Sequence, residues 1–195
     1  MLRLPPIPPG EMSGELRSLH DDMAEAIGEH LHGFVSDRSD GALVGPFSPM
    51  LNFPSWGGPA WEFTKSLMEH SSLPTGPHEV AILVTGAAYQ ARYELYAHER
   101  VASGTDLSKA KIAAIVAGRR PGDLTDQEAA AYDTAAALTR GGALPGATYQ
   151  AALDAFGRDA TAELIYLVGC YSLVSVLLNA FDVDVPGADE TSGGS

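Results

Sequence analysis

Apolar residues recur at three- and four-residue intervals through almost all of this 195-residue chain, in segments that Gly and Pro residues separate. That interval marks one face of an α-helix, and no stretch of convincing length has the two-residue alternation of a half-buried strand. The sequence therefore predicts an all-α fold, a compact helical bundle with short loops. The predicted helical segments are Glu11 to His32, Pro59 to His70, Pro77 to Ala102, Leu107 to Ala117, Thr125 to Gly141, Pro145 to Phe156 and Asp159 to Phe181, and a short apolar segment, Phe47 to Phe53, precedes the second of them.

The ends of two helices carry clear capping signals. Asp106 is the predicted N-cap of the segment that begins at Leu107. Thr125, with Glu128 three residues later, predicts a capping box, in which each residue's side chain bonds the other's backbone N–H.

Charge and size restrict the class of partner. The chain carries 25 acidic and 12 basic residues, a net charge of −13, and its longest basic cluster is Arg119-Arg120. Nucleic acids and anionic membranes need a basic face, so we expect neither as a partner. A small-molecule substrate fits this composition, and the lack of a signal-peptide pattern at the N-terminus predicts a cytoplasmic protein.

The most apolar segment, Leu164 to Phe181, has no charged residue and is close to membrane-spanning length. It carries Tyr, Ser and Asn side chains, however, and no basic residues flank it. The pattern favours a helix that is buried in a protein core or at a subunit interface.

Titratable side chains are concentrated between Glu79 and His98. Glu94 and His98 are four residues apart, so on one helix they share a face and can share a proton. A carboxylate beside a histidine raises the histidine pKa, which suits acid–base chemistry near neutral pH. Two structural alternatives remain open: the pair is a surface ion pair, or Glu79 caps the first helical turn after Gly76.

A shared site requires that the helical region be broken. On one straight helix Glu79 and His98 would lie about 28 Å apart. Gly86-Ala87-Ala88 is the weakest helical point, because Gly disfavours helix interiors. We therefore predict a reversal there that brings Glu79 and His98 into one enclosed pocket.

Four segments resemble proteins of the carboxymuconolactone decarboxylase and AhpD superfamily. They are GPFSPMLNFP (Gly45 to Pro54), HEVAIL (His78 to Leu83), YELYAHERVASG (Tyr93 to Gly104) and LVGCYSLVSVLLNAF (Leu167 to Phe181). The resemblance covers roughly Leu43 to Asp182 and implies an AhpD-like helical bundle. It divides the chain into an N-terminal extension (1–42), the family domain (43–182) and a tail that we expect to be disordered (183–195).

The AhpD branch of this family has a Glu, two cysteines and a His at fixed spacing, which fall here at Glu79, Ala91, Glu94 and His98. Both acid–base positions match and both thiol positions do not. Disulfide exchange needs an attacking and a resolving thiol, so thiol peroxidase and disulfide reductase chemistry is excluded for this chain. The single cysteine, Cys170, is predicted to be a packing residue.

The resemblance then implies a cofactor-independent lyase similar to the decarboxylase branch. His98, Glu94 and Glu79 are the predicted catalytic residues, and no metal or organic cofactor is expected. The predicted substrate is a small carboxylated lactone or a related carbonyl acid, and the predicted assembly is a trimer or hexamer of identical chains. The side chains expected to contact substrate are those of Arg92, Tyr93, Tyr89 and Trp56.

Other functions fit the same residues. Proton abstraction next to a carbonyl would give an isomerase, dehydratase or cyclase that acts on a larger hydrophobic substrate. A non-catalytic oligomeric scaffold of the same fold is a further alternative.

Overall fold

The computed structural model describes residues 3–187, and eight α-helices dominate this part of the chain. The helices are α1 (Gly14–His30), α2 (Phe47–Asn52), α3 (Pro54–Glu69), α4 (Thr75–Tyr89), α5 (Arg92–Ala102), α6 (Lys109–Val116), α7 (Asp126–Thr139) and α8 (Gly146–Ala180). The described residues contain no β-strand beyond an isolated bridge between Asp37 and Leu43. The predicted all-α fold is confirmed.

Helix α4 is the centre of the bundle. It packs against α5, α6, α7 and α8, and its residues from Gly76 to Gly86 are buried, apart from the half-buried His78. Because this helix is apolar on nearly every side, it is stable only when other helices surround it. Glu79 is a charged residue on this central helix, and it is 5% exposed.

The predicted reversal between Glu79 and His98 is present, but its predicted position is wrong. Helix α4 continues through Gly86 and ends at Tyr89; Gln90 then adopts a left-handed conformation (φ 53°, ψ 37°), and α5 begins at Arg92. Gly86 has a different role, because a Cβ added there would lie 3.2 Å from Cγ of Glu94 and 3.3 Å from Cδ2 of Leu95. The glycine allows α5 to pack closely against α4.

Several predicted helix ends also change. The helix predicted from Leu107 begins at Lys109, and Ser108 caps it, accepting a hydrogen bond from the Lys111 N–H at 3.2 Å; Asp106 is not the cap. The capping box of Thr125 and Glu128 is confirmed. Helix α3 begins at Pro54, five residues before the predicted start, since proline is also tolerated at a first helical position.

The two predicted C-terminal helices are the two arms of α8. Gly157 separates them with a positive φ of 76°, which L side chains rarely adopt. The arm that follows Gly157 contributes Leu164, Leu167 and Val168 to the core around α4. Helix α8 is long and apolar enough to cross a membrane, yet half of its most apolar window is buried inside the bundle, as in a core helix.

The N-terminal segment packs on the same body as the rest of the chain. Helix α1, predicted from Glu11 to His32, extends from Gly14 to His30, and its Met23, Ala26 and Ile27 join a second core cluster with residues of α2, α3 and α5. At the other end, residues 183–187 of the tail that was predicted to be disordered have no regular secondary structure. Val183 and Val185 pack against this cluster, and residues 188–195 lie outside the described part of the chain.

Candidate functional site

Glu79, His98 and Glu94 form a buried row, with the imidazole between the two carboxyl groups. The Nδ1 atom of His98 lies 2.8 Å from Oε2 of Glu79, and its Nε2 atom lies 3.3 Å from Oε1 of Glu94. The three residues are 5%, 5% and 3% exposed, respectively. Glu79 comes from α4, whereas Glu94 and His98 come from successive turns of α5.

The surroundings separate the pKa values of the two carboxyl groups. Burial alone would raise the pKa of Glu79, but the charge of His98 and hydrogen bonds from His78 and His98 outweigh it and lower this pKa to about 2. Burial raises the pKa of Glu94 to about 7, an effect that the charge of His98 opposes and the charge of Glu79 reinforces. Glu79 is therefore a fixed anion, and Glu94 gains and loses a proton near neutral pH.

His98 is the positive centre of this row. Burial alone would lower its pKa, but the negative charges of Glu79 and Glu94 and the hydrogen bond to Glu79 raise it to about 9. The imidazolium thus donates from Nδ1 to Glu79. Among the described residues, Oε1 of Glu94 has no hydrogen-bond partner although it is buried, because the contact with Nε2 is poorly aligned for a hydrogen bond.

A small, mainly apolar cavity, which we call the inner cavity, adjoins Glu94 and His98. Its volume is about 30 Å³, which is room for one or two water molecules. The wall is mainly aromatic and apolar, and it includes Phe34, Phe47, Met50, Trp61, Met68, Tyr93 and Tyr171. A substrate larger than water can enter only if some of these side chains move.

An open cleft of about 290 Å³ lies on the Glu79 side of the same row. Leu31, Met68, His98 and Tyr171 line both the cleft and the inner cavity, so together they form the wall between them. Leu31 and Met68 are flexible apolar side chains that are only partly buried. Rotation of these two side chains would join the cavity to the cleft.

The segment that follows α1 forms part of the wall of the inner cavity, and two tyrosines of α5 fix its position. The hydroxyl of Tyr93 donates to the carbonyl of Val35 at 2.6 Å, and the N–H of Val35 donates to the hydroxyl of Tyr96 at 3.2 Å. Gly45 leaves room for the Tyr93 ring, because a Cβ there would lie 2.3 Å from Cε1 of that ring. Part of the N-terminal extension therefore closes the site.

Of the four residues predicted to contact substrate, only Tyr93 lines the inner cavity, and its hydroxyl is already bonded to Val35. Arg92 is exposed and pairs with Asp182 at 3.3 Å, and Tyr89 lies beside it on a separate surface cleft. Trp56 is 75% exposed and packs against Phe53. The structure differs from the prediction for Arg92, Tyr89 and Trp56, which lie outside the cavity because they occupy outer positions of their segments.

Two side chains at the site were not predicted as functional. Tyr171 of α8 packs edge-on against His98, with ring centroids 5.1 Å apart, and its hydroxyl forms no hydrogen bond within residues 3–187. His78 places its Nδ1 atom 3.3 Å from Oε1 of Glu79. His78 could have been predicted from the sequence because it directly precedes Glu79. Tyr171 could not, because it is distant in the chain from the other residues of the site.

Cys170 is buried next to this site, at 1% exposure, and its Sγ atom lies 3.3 Å from Oγ1 of Thr64. Burial raises the pKa of its thiol to about 11, although the Thr64 hydrogen bond lowers it slightly. A thiol in this state is protonated at neutral pH and therefore a weak nucleophile. Its environment is that of a packing residue.

No group of three or more His, Cys, Asp or Glu side chains between residues 3 and 187 is arranged to hold a metal ion. The shortest contact in the Glu79–His98–Glu94 row is a hydrogen bond between ionised groups. The expectation that the protein needs neither metal nor cofactor stays a prediction.

Comparisons with known proteins give matches at the level of three-dimensional structure. No protein-family model matches the sequence, and a search of curated proteins finds no match. A variant of the debrominase Bmp8 in complex with 2,3,4-tribromopyrrole aligns with a TM-score of 0.72 and 15% identity, over 97% of each chain. The AhpD core of an uncharacterized peroxidase-related protein from Ralstonia eutropha JMP134 aligns with a TM-score of 0.73 and 14% identity, over 97% of this chain and 94% of that one.

These alignments extend over nearly the full length of both chains, so they concern the whole bundle and not a shared pair of helices. At this level of identity they establish the fold and not the reaction. The chain has the all-α AhpD-like fold.

Proposed function

We propose that this protein is an enzyme that transfers protons to or from a carbon atom next to a carbonyl group, without thiol chemistry. The observation that supports it most directly is the buried row of Glu79, His98 and Glu94 beside the inner cavity. An acid–base catalyst works best when its pKa is near the working pH, and Glu94 meets this condition with a pKa of about 7. Its position on the cavity wall places this group within reach of a bound molecule.

Decarboxylation of a small carboxylated lactone or a related carbonyl acid is the reaction that we favour. The carbon–carbon bond to the carboxylate breaks, carbon dioxide leaves, and the electron pair passes into the carbonyl group as an enolate. Glu94 then donates its proton to the carbanion carbon, and His98 returns a proton to Glu94 from Nε2. His98 regains this proton from water in the cleft that it lines, so one solvent proton is consumed for each carbon dioxide released. Tyr171 also lines the inner cavity, and we assign its hydroxyl the role of hydrogen-bond donor to the enolate oxygen.

The apolar wall of the inner cavity favours decarboxylation. A carboxylate is poorly solvated there, because Phe34, Phe47 and Trp61 offer it no charge-assisted hydrogen bond. The enolate spreads its charge over more atoms and suffers less from the loss of water. Closure by the segment around Val35 would also keep bulk water from the reacting carbon.

The decisive experiment is an assay of purified protein on a panel of carboxylated lactones and β-keto acids in D₂O. Released carbon dioxide reports decarboxylation, and deuterium in the recovered substrate reports proton exchange next to the carbonyl. We expect Glu94→Gln to reduce turnover about 10²- to 10⁴-fold, because it removes the group that carries the proton. Glu99→Gln is the matched control, since Glu99 is exposed on the same helix and we expect it to leave the rate unchanged.

Two results would contradict the decarboxylase assignment. Deuterium uptake without carbon dioxide would support an isomerase, dehydratase or cyclase that uses the same residues. Neither product, or equal turnover by wild type and Glu94→Gln, would remove the acid–base role and leave an oligomeric scaffold.

We further propose that copies of the chain associate through one uncharged face of α8. Its members are all exposed and recur at alternating four- and three-residue intervals: Ala162, Tyr166, Gly169, Leu173, Val176 and Ala180. This is the spacing of a helix–helix seam. The aromatic residues Phe63 and Phe53 of the α3 side extend the face, packing against Tyr166 and Phe181.

The occupant that we assign to this face is a second copy of the chain. Two chains of net charge −13 repel each other over most of their surfaces, so an uncharged strip is where they can approach most closely. A pair related by a two-fold axis is the smallest assembly that such a face gives. The expected trimer or hexamer stays a prediction.

We expect the double variant Leu173→Glu and Val176→Glu to be monomeric at concentrations at which the wild type associates. Two carboxylates in the seam would face two others across the axis and would lose water without gaining partners. Light scattering after size exclusion measures the mass directly. The control is Tyr149→Glu, a similarly exposed position on the other arm of α8. A monomeric wild type, or a double variant of unchanged mass, would show that this face is not an interface.

A further inference from the structure

One aromatic residue of the inner cavity is held by a side chain outside it. Trp61 of α3 lines the cavity together with Glu94 and His98, and it is 0% exposed. Its indole N–H donates to Oδ2 of Asp22 at 2.5 Å. Asp22 belongs to α1 and is not among the residues that line the cavity. The polar atom of this ring is therefore bound behind the cavity wall.

Asp22 is itself held by a second residue of α3. Lys65 follows Trp61 by one helical turn, so both side chains lie on the side of α3 that contacts α1. The Lys65 ammonium group donates to Oδ1 of Asp22. This hydrogen bond lowers the pKa of Asp22, burial opposes the effect, and the indole hydrogen bond adds to it. Asp22 is therefore a carboxylate at neutral pH, and an ionised acceptor binds the indole N–H more strongly than a neutral one.

The aromatic wall of the inner cavity offers few polar groups to a bound molecule. Phe34 and Phe47 have none, and the hydroxyl of Tyr93 is bonded to Val35. The indole N–H would be a further donor if it faced the cavity. A buried N–H without a partner is unfavourable, so an indole released from Asp22 would turn toward water or a polar atom of the ligand. The hydrogen bond to Asp22 thus keeps this part of the wall apolar.

We propose that Asp22 is a positioning residue that keeps the indole N–H of Trp61 out of the inner cavity, so that a substrate carboxylate is poorly solvated there. The proposal rests on the decarboxylase function above, in which poor solvation of the carboxylate favours loss of carbon dioxide. Asp22 acts through Trp61 and does not contact the substrate. In this way α1, which lies in the N-terminal extension, influences the reaction.

The orientation of the indole can be measured without any substrate. In protein labelled with ¹⁵N at tryptophan, NMR shows two indole N–H signals, one from Trp61 and one from Trp56, which is 75% exposed. We expect Asp22→Leu to move the Trp61 signal upfield, because the proton loses a short hydrogen bond to an ionised acceptor. The Trp56 signal is the internal reference. Asp22→Asn keeps an oxygen acceptor in the same place and should leave the Trp61 signal close to its wild-type position.

The expected effect on turnover has a sign that a packing defect does not produce. With the N–H turned into the cavity, the substrate carboxylate is bound more tightly and loses carbon dioxide more slowly. We therefore expect Asp22→Leu to lower kcat and KM together, each about tenfold, for the acid of the panel that the wild type turns over fastest. In a Trp61→Phe background, which has no indole N–H, Asp22→Leu should change neither constant.

The matched control is Asp21→Leu, the same change at the preceding position of α1. The Asp21 carboxylate is exposed and contacts Arg17 and His20, so we expect neither the Trp61 signal nor the kinetic constants to change.

An unchanged Trp61 signal in Asp22→Leu would overturn the proposal. A shifted signal with a raised KM, or effects of Asp22→Leu that persist in the Trp61→Phe background, would overturn it as well. If the signal shifts but the wild type releases no carbon dioxide from any acid, the decarboxylase function and the kinetic part of the proposal both fail, whereas the orientation of Trp61 by Asp22 stands.

Discussion

Replacement of His98 with alanine is expected to destabilise the protein by about 3–5 kcal/mol at pH 7, because it removes the only positive charge between two buried carboxyl groups. Glu79 then loses its 2.8 Å partner and Glu94 its 3.3 Å contact. Both groups remain almost fully buried, so water does not replace the lost charge. Denaturant titration followed by circular dichroism gives the free energy of unfolding.

The pH dependence of this loss identifies its cause. Without His98, burial raises the pKa of both carboxyl groups above the value of about 4.3 that Glu has in an unfolded chain. An acid whose pKa is raised by folding destabilises the folded state as the pH rises through that pKa. The difference in the free energy of unfolding between the variant and the wild type should therefore become smaller when the pH is lowered from 7 to 5.

His20→Ala is the matched control, since His20 is also buried but its partners are the exposed carboxylate of Asp21 and the backbone carbonyl of Gly41. Removal of His20 therefore leaves no buried charge without a partner. We expect a smaller loss in the free energy of unfolding, and one that does not become smaller between pH 7 and pH 5. A His98→Ala loss that is no larger than the His20→Ala loss, or one that does not change between pH 7 and pH 5, would contradict the assigned charges.

The two carboxyl groups beside His98 are expected to respond differently when each is replaced by glutamine. Glu79→Gln should cost about 3 kcal/mol at pH 7, because it removes an ionised and hydrogen-bonded partner of the imidazolium. Glu94→Gln should cost less than about 1 kcal/mol, because Glu94 is partly protonated at this pH and its Oε1 atom has no hydrogen bond to lose. The same unfolding measurement compares these two nearly isosteric changes.

The signs with pH follow from the two pKa shifts. The pKa of Glu79 is lowered to about 2, so its stabilising effect is present above the unfolded value and is lost as pH falls toward 2. The pKa of Glu94 is raised to about 7, so wild-type stability falls as pH rises through 7 and Glu94 becomes charged. Glu94→Gln should abolish the loss of stability near pH 7 and retain the loss of stability toward pH 2. Equal losses for the two variants, or a fall near pH 7 that persists in Glu94→Gln, would show that the two carboxyl groups are not differentiated.

The sequence was sufficient to predict that Glu79 and His98 lie close together, but it was not sufficient to predict where the chain turns between them. Helix propensity places the break at Gly86, the residue least suited to a helix interior. The chain keeps Gly86 helical because α5 packs directly on it, a contact that a local pattern does not contain. Gln90 bears the left-handed conformation, which a residue other than Gly adopts only when the surrounding structure requires it.

The residues that line the inner cavity could also not be predicted from the sequence. Phe34, Trp61 and Tyr171 belong to three segments that are far apart in the chain, and each segment is consistent with an ordinary apolar core. Conversely, Arg92 and Tyr89 were predicted at the site because they are close in sequence to Glu94. Helical geometry turns them to the outside, where Arg92 meets Asp182.

The turn at Gln90 and Ala91 also fixes the number of residues that can separate the two halves of the site. Each residue added to or removed from a helix rotates everything beyond it by about 100°. One extra residue at the start of α5 would therefore carry His98 to another side of that helix, away from Glu79. Homologous proteins with this arrangement should accordingly tolerate substitutions in the turn far better than insertions or deletions.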